Sequence, residues 1–130
     1  MRIVTDSGVF LSVALNEPEK DRLIEITTGY DLIAPDVLPF EPGNTLSWLW
    51  RGKRICAADV LKIWGILMDT PVELKPIEIR SAAELATQNM IYAYDACFLE
   101  CSLHWRYPLL TLDQKLKAIA ISGNIEVLEI

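Results

Sequence analysis

Acids stand directly behind short apolar runs at three places in the chain: Asp6 after R-I-V-T, Asp36 after D-L-I-A-P and Asp113 after P-L-L-T-L. Two more open apolar stretches of helical spacing, Glu41 in P-F-E-P-G-N and Asp95 in Y-D-A-C-F-L-E-C. If the runs are strands of one open parallel sheet, these acids fall near its carboxyl edge, where such sheets bind ligands. Carboxylates gathered at one place repel each other, and either protons or a divalent cation relieve the repulsion. Mg²⁺ and Mn²⁺ are hard ions that take carboxylate oxygens, keep several waters and complete their shell with substrate phosphate. An ion held there activates water and neutralises charge on a phosphate under attack, so phosphodiester hydrolysis asks little else of the side chains. A chain with a single histidine suits that chemistry.

Each acid also has a plainer reading, because Asp is a preferred helix cap. Asp36 fits that role best, with a helix expected from Val37, and Asp95 and Asp113 are placed to cap helices of their own. Asp6 is harder to dismiss, since Asp-Ser-Gly follows a strand that should lie centrally. Glu41 is hardest, because capping is not a task for glutamate. It stands between Pro39 and Pro42, and a proline inside a helix removes a backbone donor. The first turn after Glu41 is therefore expected to be distorted, with the bond from position 42 to Leu38 missing.

The elements that must position these acids read as strands alternating with helices. Strands are expected at Arg2–Thr5, Asp31–Pro35, Val72–Ile77, Pro108–Leu112 and over I-E-V-L near the end. Between them lie a helix capped by Asn16 and stopped by Gly29, one carrying Phe40, Leu46, Trp48 and Trp50, and one over Ala57–Met68. A capping box at Ser81 opens a helix to Asn89, and further helices cover Tyr94–Trp105 and the segment from Asp113 to Gly123. Five such strands predict one α/β domain over residues 1–130, a three-layer α/β/α sandwich with a central, mostly parallel five-stranded sheet.

With 130 residues and 52% hydrophobic composition the chain can bury a real core. No stretch approaches the roughly 20 apolar residues of a membrane span, and the N-terminus has no signal-like apolar region. Three cysteines form no framework and read as reduced thiols. The expectation is a soluble, cytoplasmic protein with no membrane partner. A net charge of −6 argues against a general nucleic-acid binder, although local basic clusters could still meet a strand.

In order, spacing and total length, I-V-T-D-S, L-I-A-P-D-V-L-P-F-E-P-G-N-T-L, Y-D-A-C-F-L-E-C and P-L-L-T-L-D-Q-K-L resemble the PIN-domain family. The likeness is greatest to its VapC-type members, toxin ribonucleases of prokaryotic toxin–antitoxin systems, and covers essentially the whole chain. It implies that Asp6, Glu41, Asp95 and Asp113 are the catalytic, metal-holding acids for Mg²⁺ or Mn²⁺, supported by Ser7, Asn44 and Thr111. It further implies an endoribonuclease that leaves a 5′-phosphate and a 3′-hydroxyl, with RNA as substrate, a cognate antitoxin protein as partner, and a homodimer. Two positions depart from the family: Gly8, a minor change, and Pro42, where relatives carry an apolar helix former. The second departure supports an alternative reading, a PIN-like interaction module with weak or no catalysis. A phosphoacceptor receiver domain fits less well, since it needs adjacent acids after its first strand and position 7 is Ser.

Cys97, Cys101 and His104 share one helix face, but three ligands on one helix cannot close a tetrahedral zinc site, and core packing is expected for the cysteines. The four tryptophans are expected mostly in the core, with some at an interface. Arg51–Arg54, Lys115 and Lys117 are the candidates for RNA phosphate contacts.

Overall fold

Arg2–Thr5 forms the centre of the sheet because its side chains are apolar on both faces. Ile3 and Val4 are fully buried on opposite sides of the strand. In the computed structural model, which describes all 130 residues, this strand is β1. It is followed by α1 (Ser7–Ala14), α2 (Lys20–Thr27), β2 (Asp31–Pro35), α3 (Phe40–Arg51), α4 (Ala57–Asp69) and β3 (Glu73–Lys75). The chain continues through α5 (Ile79–Asn89), α6 (Ala93–Trp105), β4 (Leu109–Leu110) and α7 (Gln114–Ser122).

The sheet order is β3-β2-β1-β4, and every pairing is parallel. Helices cover both faces. Phe98 and Leu99 of α6 pack with Leu116 and Ala120 of α7 against one side, and Val9 of α1 and Leu23 of α2 close the other. The chain steps outward from β1 to β2 and β3, then returns to the opposite side of β1 as β4. Strand order therefore reverses between β1 and β4, which places a crevice at their carboxyl ends. No helix is long and apolar enough to cross a membrane.

Several expectations need correction. The sheet has four strands rather than five: the C-terminal I-E-V-L segment makes only an isolated parallel bridge, Leu109 to Val127. The reason lies in its partner. Pro108 precedes β4 and the Thr111 turn ends it, so two residues offer too little ladder for a fifth strand. Asn16 does not cap a helix. It adopts a left-handed conformation (φ 58°), and α2 begins four residues later behind Glu19. Asp36 does not cap either, because residues 36–39 form turns and α3 starts at Phe40 with Pro39 in the cap position. Ser81 lies inside α5, whose cap position is Glu78, so no capping box forms there. Trp48 and Trp50 are exposed rather than core, while Leu46 and Pro42 are the buried residues of α3. Trp48 lies about 200° round the helix from Leu46, and its ring instead carries the Arg54 guanidinium at 5.4 Å.

The later start of α3 also changes the meaning of its prolines. The first four N–H groups of any helix lack an intrahelical acceptor. Pro39 takes the cap position and Pro42 the third helical position, so both fall among those four. The bond from position 42 to Leu38 is indeed absent, but a helix starting here would never have made it. The first intrahelical bond, Gly43 N–H to the Pro39 carbonyl, is long at 3.4 Å. Proline thus fixes where the helix begins, and Glu41 enters its first turn at no cost to the ladder.

Candidate active site

Asp6 is set by the sheet itself. Its N–H continues the β1–β4 pairing to the Leu110 carbonyl at 3.0 Å, so its side chain emerges where the two strands end. It occupies the cap position of α1 without making a side-chain cap bond. Instead, Oδ2 accepts a hydrogen bond from the buried Thr111 hydroxyl at 2.8 Å. The same hydroxyl accepts from the Asp113 N–H at 3.0 Å, tying the turn after β4 to Asp6. Thr111 is thus the positioning group between the first and last acids.

Asp113 does cap α7: its Oδ1 accepts from the N–H groups of Lys115 and Leu116 at 2.9 and 3.1 Å. Both bonds fall on one oxygen, which keeps the carboxylate oriented with Oδ2 outside the cap. Asp95 stands in the first turn of α6 but does not cap it, since Tyr92 holds that position. Asp95 and Asp113 line an open cleft of about 580 Å³ together with Lys115, Leu116 and the α5–α6 connection. Glu41 faces Asp6 and Asp95 from α3, and its Oε2 is buried with no hydrogen-bond partner.

The electrostatics show how closely these groups are drawn together. Burial pushes the Asp6 carboxyl up to about 6, against the Thr111 bond that favours its charge, with Asp95 and Asp113 adding repulsion. Burial likewise pushes Glu41 up to about 7, reinforced by Asp6 and Asp95 and partly offset by the Ser7 hydroxyl. Asp95 is raised by burial and by Asp113, while Lys115 acts in the opposite direction. Asp6 is thus within reach of the charges of Asp95 and Asp113, and Glu41 within reach of those of Asp6 and Asp95. Shifts from burial plus specific charge partners are what functional sites display.

Of the supporting residues, Ser7 is buried beside Asp6, and Asn44 is exposed one turn beyond Glu41. Among the basic candidates, Lys115 lines the cleft, whereas Lys117 is bound to Glu129 at 2.8 Å. Arg51–Arg54 lie at the far end of α3, about 15 Å along the helix from Glu41. Cys97 and Cys101 are buried, and burial pushes their thiols up to about 11 and about 12. His104 is exposed, with its ring edge on Trp105. The sequence reading overlooked Met90 and Tyr92, which line the same cleft as Asp95 and Asp113.

The four acids offer carboxylate oxygens only, one of them buried and unpartnered, and carboxylate oxygen is the ligand type hard divalent cations take. No three His, Cys, Asp or Glu side chains stand close enough to ligate one ion directly. An ion held here would have to keep waters for the rest of its shell, as Mg²⁺ does where one or two carboxylates hold it.

Thr111→Val should expose how much of this arrangement rests on one hydroxyl. It leaves a buried Asp6 oxygen and the Asp113 N–H without partners, and should cost about 1–3 kcal/mol of stability in urea unfolding near neutral pH. A variant as stable as the parent would show that Thr111 does not hold the two acids.

No protein-family model matches the sequence, and no curated protein matches it. Several solved structures resemble the fold, and two of them illustrate it. PAE2754 from Pyrobaculum aerophilum aligns with a TM-score of 0.68 at 20% identity, covering 92% of this chain and 79% of that one. VapBC2 from Rickettsia felis, solved bound to a DNA fragment from its promoter, aligns with a TM-score of 0.69 at 12% identity, covering 98% of each chain. At these identities the likeness is one of fold, and it extends over nearly the whole chain.

Proposed function

We propose that this chain is a Mg²⁺- or Mn²⁺-dependent endoribonuclease that acts as the toxin of a toxin–antitoxin pair. The observation that carries the reading is the meeting of Asp6, Glu41, Asp95 and Asp113 at the β1–β4 switch point, with mutual repulsion and an unpartnered buried carboxylate oxygen. The PIN-like sequence pattern and the fold shared with VapBC2 support it.

Asp6 and Glu41 would hold the ion from the buried side, and Asp95 and Asp113 from the open cleft, directly or through water. A bound divalent cation would supply an activated water and neutralise charge on the scissile phosphate. Thr111 fixes the Asp6 carboxylate against the strand ends, and Lys115 offers the cleft its one lining ammonium for the strand's phosphate. A cognate antitoxin protein covering the acids, a homodimer and a cytoplasmic site of action complete the reading. The exposed Phe40, Trp48 and Trp50 of α3 are apolar surface available to such protein partners.

The lack of three directly convergent ligands favours a second reading, a PIN-like interaction module without catalysis. Incubation with RNA separates the two. The nuclease reading expects cleavage that requires Mg²⁺ or Mn²⁺, stops with chelator and is lost in Asp95→Asn. Cleavage that persists undiminished in that variant, or no cleavage under any divalent ion, would overturn it.

A further inference from the structure

The cleft lined by Asp95 and Asp113 has further lining residues to which the nuclease reading gives no task. Met90, Ile91 and Tyr92 connect α5 to α6 there. Ile91 packs into the core, and its N–H donates to the Ala86 carbonyl at 3.1 Å. Anchored at that point, the chain turns both neighbours outward: Met90 is 84% exposed and Tyr92 is 83% exposed. Met90 adopts a left-handed conformation (φ 56°), uncommon for a residue other than glycine, and its carbonyl accepts from Lys115 Nζ at 3.1 Å. Tyr92 in turn accepts the Ala96 N–H on its carbonyl at 3.1 Å, within the first turn of α6. The backbone is thus fixed on both sides of a flat aromatic ring that the fold does not use.

We propose that Tyr92 is the platform on which an unpaired nucleobase stacks, beside the phosphodiester that Asp95 and Asp113 face, with Lys115 on the strand's phosphate. The fate of the bound strand rests on the nuclease reading; the binding does not. The lining chemistry favours this occupant over a peptide. An apolar peptide segment seated here would take water from the charges of Asp95, Asp113 and Lys115 and offer them no new partner, which is costly. A nucleotide lays a π-face on the ring and a phosphate by the ammonium, and stacking of this kind tolerates any base. Lys115 spends one donor on Met90, and an ammonium has three. A base within a duplex keeps both faces in its own stack, so the strand must be unpaired where it meets Tyr92.

The test uses the full chain and a short oligoribonucleotide carrying 2-aminopurine, single-stranded or annealed to its complement, with Ca²⁺ in place of Mg²⁺. Wild-type protein should bind the single strand and quench its emission. Tyr92→Phe should bind within about twofold of wild type, and Tyr92→Ala about tenfold more weakly or worse, the scale of one lost base stack. Because Tyr92 is exposed, both variants should melt with the parent. Equal binding by Tyr92→Ala, or a duplex bound as tightly as the single strand, overturns the proposal. No binding by wild type also overturns it. Binding that depends on Tyr92 but yields no cleavage with Mg²⁺ or Mn²⁺ would sink the nuclease reading alone. Cleavage indifferent to Tyr92→Ala would sink the platform alone.

Discussion

Asp6→Asn should stabilise the metal-free protein at about pH 8 while removing its activity, two effects of opposite sign from one atom exchange. The carboxyl is buried, and its pKa of about 6 means that at pH 8 the fold carries a charge it would rather protonate. Displacement from the ordinary carboxylate value to about 6 corresponds to roughly 3 kcal/mol. An amide keeps an acceptor for the Thr111 hydroxyl and removes the charge, so urea unfolding should shift upward by up to that amount. Cleavage of RNA should fall by more than about 100-fold, beyond the 10- to 100-fold typical of groups one shell away from a metal. A destabilised but active variant would mean that Asp6 is only a structural acceptor at a strand end.

The second large effect concerns pH. Asp6 and Glu41 have folded-state pKa values of about 6 and about 7, both above those of the unfolded chain. For acids raised in this way, the native state holds protons that the unfolded state has already released. Their stabilising contribution is complete below the unfolded values near 4 and is lost as pH rises through about 6 and 7. The metal-free melting temperature should therefore climb as pH falls from about 8 to about 5.5, reversing the usual acid sensitivity of paired carboxylates. The gain should be smaller in Asp6→Asn and smaller again when Glu41→Gln is added. A flat or falling profile across that window would show that the two acids are not buried against each other in solution.

Much of this arrangement is legible in the residues. Apolar β-branched runs followed by acids mark β1 and β2, and Pro108 with Asp113 brackets β4. Capping was less legible, because Asn and Asp signal turns and caps alike. Asn16 and Asp36 lie in turns rather than at helix caps, and Asp113 is a true cap that accepts from two N–H groups. The fifth strand failed on a non-local property, the shortness of β4, which no local pattern in I-E-V-L discloses. Trp48 and Trp50 mislead for a similar reason, since apolar character does not say which face of α3 the core occupies. Thr111 carries no local signal of its own and is reached through the family resemblance, whereas Glu41 stands out as an acid that helix capping does not explain. Tyr92 could not be found that way, because its exposure follows from the anchoring of its neighbour Ile91. Pro42 looked like damage only while α3 was assumed to begin at Val37. With the helix beginning at Phe40, it is a boundary marker that sets Glu41 in the first turn.

The most direct measurement of the central claim is the melting temperature of the wild-type chain titrated with Mn²⁺ at about pH 7.5, alongside Asp6→Asn. An ion that binds the folded acids stabilises by mass action, about 2.7 kcal/mol at a hundred times its dissociation constant. We predict a saturable rise of several degrees in wild type, diminished at about pH 5.5 where protons compete, and absent in Asp6→Asn. A wild-type melting temperature indifferent to Mn²⁺ at neutral pH would contradict a cation site formed by Asp6, Glu41, Asp95 and Asp113.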